Sequence, residues 1–184
     1  MKILITYAGS GGLSAGAAER VGKVLCGLGE SVTLLPMNGV KTIRGFEVVI
    51  AGSVEHAGNW VPEAMEFVRR YQNGLREKAF AIFTVCTGLS GDKGAESQMV
   101  IMQWTAPVRA LAHPVSEGFF TVENVQKKNI QPGERSKFKL SILLGILKDS
   151  DHRHQAAIET WATKLHEKLA QGTGLKSRGA VHGA

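Results

Sequence analysis

The sequence predicts a three-layer α/β sandwich: a five-stranded parallel sheet of order 2-1-3-4-5 with helices on both faces. Three observations predict it. Short, β-rich apolar runs alternate along the chain with segments of helical apolar period. Right-handed crossovers between parallel strands turn that alternation into a doubly wound sheet, and five strands suit the stated order. With 184 residues, 43% of them hydrophobic and 21% charged, the chain has the apolar mass for one sizeable core.

The elements follow in order. Lys2–Tyr7 (KILITY) is the first strand, and a Gly/Ser loop follows it. Ala17, Val21, Val24, Leu25 and Leu28 then recur at helical spacing, with Gly29 placed to end the helix. Ser31–Leu35 is the second strand, closed by Pro36 and Asn38-Gly39. Phe46–Ala51 is the third, and a loop runs from Gly52 to Trp60. Val61, Met65, Val68 and Tyr71 form one face of the next helix, with Pro62 in its first turn, where a missing N–H costs nothing. Ala79–Val85 is the fourth strand. A helix is expected from about Ala95 to Leu111, bent or interrupted at Pro107. Val115–Val122 is a weaker fifth strand. Glu123–Ser136 reads as a long basic loop, and Phe138–Leu147 as a core helix too short to span a bilayer. Ile158, Trp161, Leu165 and Leu169 mark the last helix. The expected organisation is one domain over 1–170 and a flexible Gly-rich tail over 171–184.

Composition excludes several classes. Cys26 and Cys86 are the only cysteines, too few for a disulfide-stapled module. The start of the chain lacks a signal-peptide pattern, and no apolar stretch approaches the ~20 residues of a membrane span. A cytoplasmic location is expected. The net charge of +6 is uneven: residues 1–122 hold 11 Lys/Arg against 10 Asp/Glu, and residues 123–184 hold 11 against 6. A basic third can face an acidic substrate or an anionic membrane, so peripheral contact with the inner membrane face stays open. A solvated surface is the simpler reading. No recognition pattern for nucleic acid accompanies the charge, and none is expected as a partner. His152 and His154 form an H-x-H pair without carboxylates around it, so no metal site is expected. The oligomeric state is left open.

In open α/β sheets ligands bind outside the carboxyl ends of the strands. That rule selects three loops. In the first, Ser10, Gly11, Gly12, Leu13 and Ser14 lie between a strand and a helix N-terminus. Free amides and the helix dipole favour an anion there, glycines allow close approach, and serine hydroxyls donate to phosphate oxygens. No Walker lysine and no G-x-G-x-x-G spacing is present. In the second, Ser53, Val54, Glu55, His56, Ala57, Gly58 and Asn59 lead to Trp60, an indole that either stacks on a flat ligand or anchors the following helix. The third follows Thr84, Val85, Cys86, Thr87 and Gly88, where small residues let backbone amides face a planar ligand and Lys93 adds positive charge. Cys86 reads as a small buried hydrophobe. It has no His/Asp partner spacing, and the G-x-S-x-G elbow is missing, so hydrolase chemistry is not expected and no catalytic residue is assigned.

At these loops the chain resembles the flavodoxin-like family that includes menaquinone-dependent protoporphyrinogen IX dehydrogenase. The opening strand, Y-A-T-x-x-G-S-T and helix of that family resemble Tyr7-Ala8-Gly9-Ser10-Gly11-Gly12-Leu13-Ser14. Its G-S-x-x-x-G-x-[WY] loop before E-A-x-x-F resembles Gly52-Ser53 through Gly58-Asn59-Trp60 and then Glu63-Ala64-Met65-Glu66-Phe67. Trp161 resembles the family's late tryptophan. The resemblance implies FMN as cofactor, with Ser10–Ser14 around the phosphate and with Ser53–Trp60 and Thr84–Gly88 flanking the isoalloxazine. It implies an FMN-dependent oxidoreductase or electron-transfer protein, with a redox partner or quinone, acting on protoporphyrinogen IX.

The chain departs from the pattern at Gly9, where the family has threonine, and at Leu13-Ser14, where it has Ser-Thr. Two hydroxyl donors are lost, with Ser10 placed to replace one. At roughly 1.5–3 kcal/mol for a hydrogen bond to a charged group, the loss weakens FMN binding by about tenfold or more. The alternative is therefore a flavodoxin-like binding module that has lost or weakened FMN binding. A Gly9→Thr/Leu13→Ser/Ser14→Thr variant is expected to restore it.

Overall fold

The computed structural model describes residues 1–9, 12–87, 102–122 and 152–178. Consecutive buried residues, Ile3 to Thr6, give β1 (Lys2–Ala8) two buried faces. Leu13–Gly27 form α1, which ends in a Schellman motif. Gly29 takes φ +88°, its N–H donates to Cys26 at 3.0 Å, and the Glu30 N–H donates to Leu25 at 3.0 Å. Ser31–Pro36 form β2, and a 3-10 turn covers Met37–Gly39. Val48–His56 form β3 and Asn59–Trp60 the short β4. Pro62–Arg76 form α2, with Pro62 in the first turn as its missing N–H predicts. Ala79–Thr87 form β5, Ala106–Ala112 α3, Ser116–Val122 β6 and His152–Arg178 α4.

The long strands run parallel in the order β2-β1-β3-β5-β6. With the two-residue β4 set aside, this is the predicted order. The pleat sends neighbouring residues to opposite faces. Leu4, Val49, Phe80 and Ile82 meet Phe67 and Val68 of α2 and Val108 of α3. Ile3, Ile5, Ile50 and Phe83 meet Val21 and Leu25 of α1 and Ile158 and Leu165 of α4. Each such side chain, fully buried, contributes about 1.5–3 kcal/mol.

One row across the sheet fixes how α4 docks. Gly52, Phe83 and Gly118 are register partners on β3, β5 and β6. A β-carbon on Gly52 would lie 1.9 Å from Cζ of Phe83, so only glycine leaves room for the ring. Phe83, Phe120 and Trp161 then pack with centroids 5.7 to 6.3 Å apart. The Trp161 indole N–H donates to Ser116 Oγ at 3.1 Å. Arg20 of α1 adds bonds to Glu159 at 2.8 Å and Gln155 at 2.9 Å of α4.

The structure shifts four boundaries. The third strand does not stop at Ala51: it continues to His56 and returns as β4, so Gly52–Trp60 is strand and hairpin rather than loop. Register pairing of Ser53 with Thr84 and of Val54 with Val85 carries the extension, and a short strand pattern could not reveal it. The fourth strand likewise runs on to Thr87. The helix expected from Ala95 to Leu111, with a bend or break at Pro107, breaks two residues earlier: residues 102–104 are helical, Thr105 interrupts the run, and α3 restarts with Pro107 in its first turn. The expected tail begins inside α4, which reaches Arg178. Residues 88–101 and 123–151, including Lys93 and Phe138–Leu147, lie outside the described residues. Among the described residues no helix is long and apolar enough to cross a membrane.

Candidate functional site

The carboxyl ends of β1, β3 and β5 converge where the strand order reverses. At β1, Gly9 takes φ +123°, and a β-carbon there would sit 2.6 Å from Cγ2 of Val54. The site is glycine for steric and conformational reasons together. Gly12 stands at the N-cap of α1 with φ +80°, without a side-chain cap and without an acidic residue in the first turn. The first amides of a helix have no intrahelical partner, and no acidic residue of the first turn of α1 competes for them. Ser14, the second residue of α1, is 1% exposed, and its hydroxyl has no hydrogen-bond partner among the described residues. A buried hydroxyl left unpaired costs about 1–3 kcal/mol. Its place at the helix N-terminus suits an oxyanion as the missing partner.

At β3, the chain reverses through Ala57 (φ +51°) and Gly58 (φ +77°). Two central residues of positive φ between antiparallel strands make a type I′ hairpin turn. The turn is tied by its own flanks. The Gly58 N–H donates to Glu55 Oε1 at 2.6 Å, and Asn59 Nδ2 donates to the Ala57 carbonyl at 3.2 Å. Beneath it, the Trp60 indole N–H donates to Thr84 Oγ1 at 2.8 Å, and Trp60 is 3% exposed. The Ser53 hydroxyl donates to the Val54 carbonyl at 2.9 Å and accepts the Val61 N–H at 3.2 Å, which fixes the start of α2. At β5, Thr84, Val85 and Cys86 are fully buried. Burial, with Glu55 nearby, pushes the Cys86 thiol up to about 12, so it stays protonated and unreactive at neutral pH.

A flavodoxin-domain family model matches residues 4–140. The chain belongs to the flavodoxin domain family. No curated protein matches it. Among solved structures it is similar to a flavodoxin from the domain Archaea (TM-score 0.57, 14% identity, covering 92% of this chain and 99% of that one). It is also similar to oxidised flavodoxin 2 from Bacillus cereus (TM-score 0.57, 18% identity, covering 91% and 99%). A third likeness is to rubredoxin oxygen:oxidoreductase from Desulfovibrio gigas (TM-score 0.53, 18% identity), where 92% of this chain spans 37% of that one. At these identities the likeness shows the fold.

Within this flavodoxin domain the strands that lead into the three predicted loops, β1, β3 and β5, lie side by side, and the described residues at their ends divide. Gly12 and Ser14 lie at the uncapped helix end, whereas Leu13 packs toward the α1–α4 core. His56, Ala57 and Asn59 are exposed on the hairpin, and Val54, Glu55 and Gly58 are half-buried. Ser53, Trp60 and Thr84 turn inward and hold the hairpin to the sheet, so Trp60 anchors rather than stacks. Gly9 rejects the threonine that the motif comparison would restore. Ser10, Gly11, Gly88 and the side chain of Thr87 lie outside the described residues, as do the side chains of His152 and His154. No group of side chains fit to hold a metal occurs among the described residues.

One residue of this flavodoxin domain escaped sequence reading. A β-carbon on Gly58 would lie 3.4 Å from Nε1 of Trp104 and 3.6 Å from its Cδ1. Trp104 is half-buried beside the hairpin tip. Its only sequence signal is an indole placed just before a helix break.

Proposed function

We propose that this flavodoxin domain binds FMN and works as an oxidoreductase or electron-transfer protein. The observation that carries the proposal is the buried Ser14 hydroxyl, unpaired among the described residues, at the N-terminus of α1, which has no side-chain cap and no acidic residue in its first turn. That donor set fits a phosphate monoester. The Ser14 hydroxyl and the first-turn amides would hold the phosphate. The Val54–Asn59 hairpin and the end of β5 would border the ring. Bound FMN supplies the redox chemistry. The chain's own part is to bind, to orient and to keep water away. The hairpin is fastened for this through Glu55, and Trp60 closes its inner side.

Protoporphyrinogen IX, with a quinone as acceptor, is the proposed substrate class. It rests on the likeness of Gly52–Trp60 and Glu63–Phe67 to the corresponding family motif, and on the basic charge after residue 122, which suits a propionate-bearing substrate or an anionic membrane face. A second reading, loss of tight FMN binding, is favoured by Gly9: its contact with Val54 excludes a hydroxyl-bearing side chain at that position.

Titrating FMN with the purified protein, with riboflavin as control, tests both. Quenching of FMN fluorescence without quenching of riboflavin is the expected result. No quenching at millimolar FMN overturns the cofactor reading and leaves the second.

A further inference from the structure

We propose that Trp104 forms the outer wall of the flavin cleft, held over the hairpin tip by Arg109 and Glu117; the inference rests on the FMN reading above. The three tryptophans are treated differently by the fold. Trp60 donates its indole N–H to Thr84, and Trp161 donates to Ser116. A buried indole finds an acceptor in this way because an unpaired one is costly. Trp104 is half-buried, and among the described residues no acceptor takes its N–H. It lies instead beside Gly58, where a β-carbon would meet the indole at 3.4 Å, an ordinary van der Waals contact.

The backbone on either side of Trp104 is fastened. The Arg109 guanidinium donates to the Met102 carbonyl, to Thr105 Oγ1 at 2.8 Å, and to both carboxylate oxygens of Glu117, at 2.8 and 3.0 Å. The buried Thr105 hydroxyl also donates to Glu117, at 2.8 Å. Glu117 stands on β6, so a sheet residue sets the height of the Trp104 segment. A fastened backbone that leaves an indole N–H open to solvent beside an exposed turn is an arrangement for a planar, conjugated ligand with carbonyl acceptors. An isoalloxazine has both properties. Trp104 would be its stacking or donating neighbour, and Arg109 and Glu117 are positioning residues.

Affinity and residual fluorescence of bound FMN, read in the wild type, Trp104→Leu, Trp104→Phe and Glu117→Gln, test this. An indole in contact quenches flavin emission, so bound FMN should brighten severalfold in both Trp104 variants. The dissociation constant should rise about tenfold in Trp104→Leu and less in Trp104→Phe, which keeps an aromatic face. Glu117→Gln, with the indole intact, should also brighten bound FMN because the segment is freed. Unchanged affinity and unchanged emission in folded Trp104→Phe overturn the Trp104 assignment alone. No FMN uptake by the wild type overturns it together with the cofactor reading. Should Trp104→Leu fail to fold, Trp104→Phe and Glu117→Gln carry the same decision.

Discussion

Trp60 and Thr84 are joined by a buried hydrogen bond, indole Nε1 to hydroxyl oxygen at 2.8 Å, which ties the β3–β4 hairpin to β5. The bond makes Trp60 a structural anchor. Thr84→Val removes the acceptor at similar volume and leaves a buried N–H unpaired. A loss of about 1–3 kcal/mol is expected in urea unfolding, with FMN affinity falling less than in any hairpin-tip variant.

Ser14 should show opposite signs in its two states. The free protein carries an unpaired buried hydroxyl, so Ser14→Ala is expected to leave the melting temperature unchanged or higher. The same change removes a donor from the phosphate site and should weaken FMN by about tenfold while leaving riboflavin unaffected. Calorimetry of the free protein and an FMN titration read the two effects separately.

Gly9→Thr should not restore a phosphate donor. The residue sits at φ +123° with Val54 Cγ2 only 2.6 Å from a β-carbon. Backbone strain of about 1–3 kcal/mol, with overpacking added, is expected. The variant should unfold at lower urea than the wild type and bind FMN no better. Leu13→Ser alone separates the missing donor from the strain.

Glu30 gives the protein an acid-sensitive contact. Burial pushes its carboxyl up, but hydrogen bonds from the Met1 ammonium and from His166, whose Nε2 lies 2.8 Å from Oε1, outweigh it and hold the carboxyl below its ordinary value of 4.5. A lowered folded value means stability that is fully present above pH 4.5 and lost as pH falls through the folded value. Glu30→Gln should therefore be less stable than the wild type at pH 6, with the gap closing below pH 4.5. Urea midpoints measured between pH 3 and 6 check this.

Much of the fold was legible in the chain. Continuous runs such as Lys2–Tyr7 and Ala79–Val85 can be buried only on both faces, and the helical period through Val61, Met65, Val68 and Tyr71 leaves one face apolar. The Gly/Ser stretch at the first turn pointed to the uncapped end of α1. The hairpin was not legible, because Ala57-Gly58 is a weak turn signal and Val54-Glu55 a weak strand. Trp60 offered two roles in one dimension, stacking and anchoring. Only the distance to Thr84, twenty-four residues away, chose between them.

The sequence by itself determined the alternation of elements, the strand order and the end of the sheet where the candidate site lies, since these follow from periodicity, handedness and chain direction. The tertiary structure decided which side chains meet there. Gly52 under the Phe83 ring, Gly9 against Val54, and Trp104 over Gly58 are contacts between segments far apart in the chain. Such contacts arise from the packing of whole elements, and no local pattern of residues encodes them.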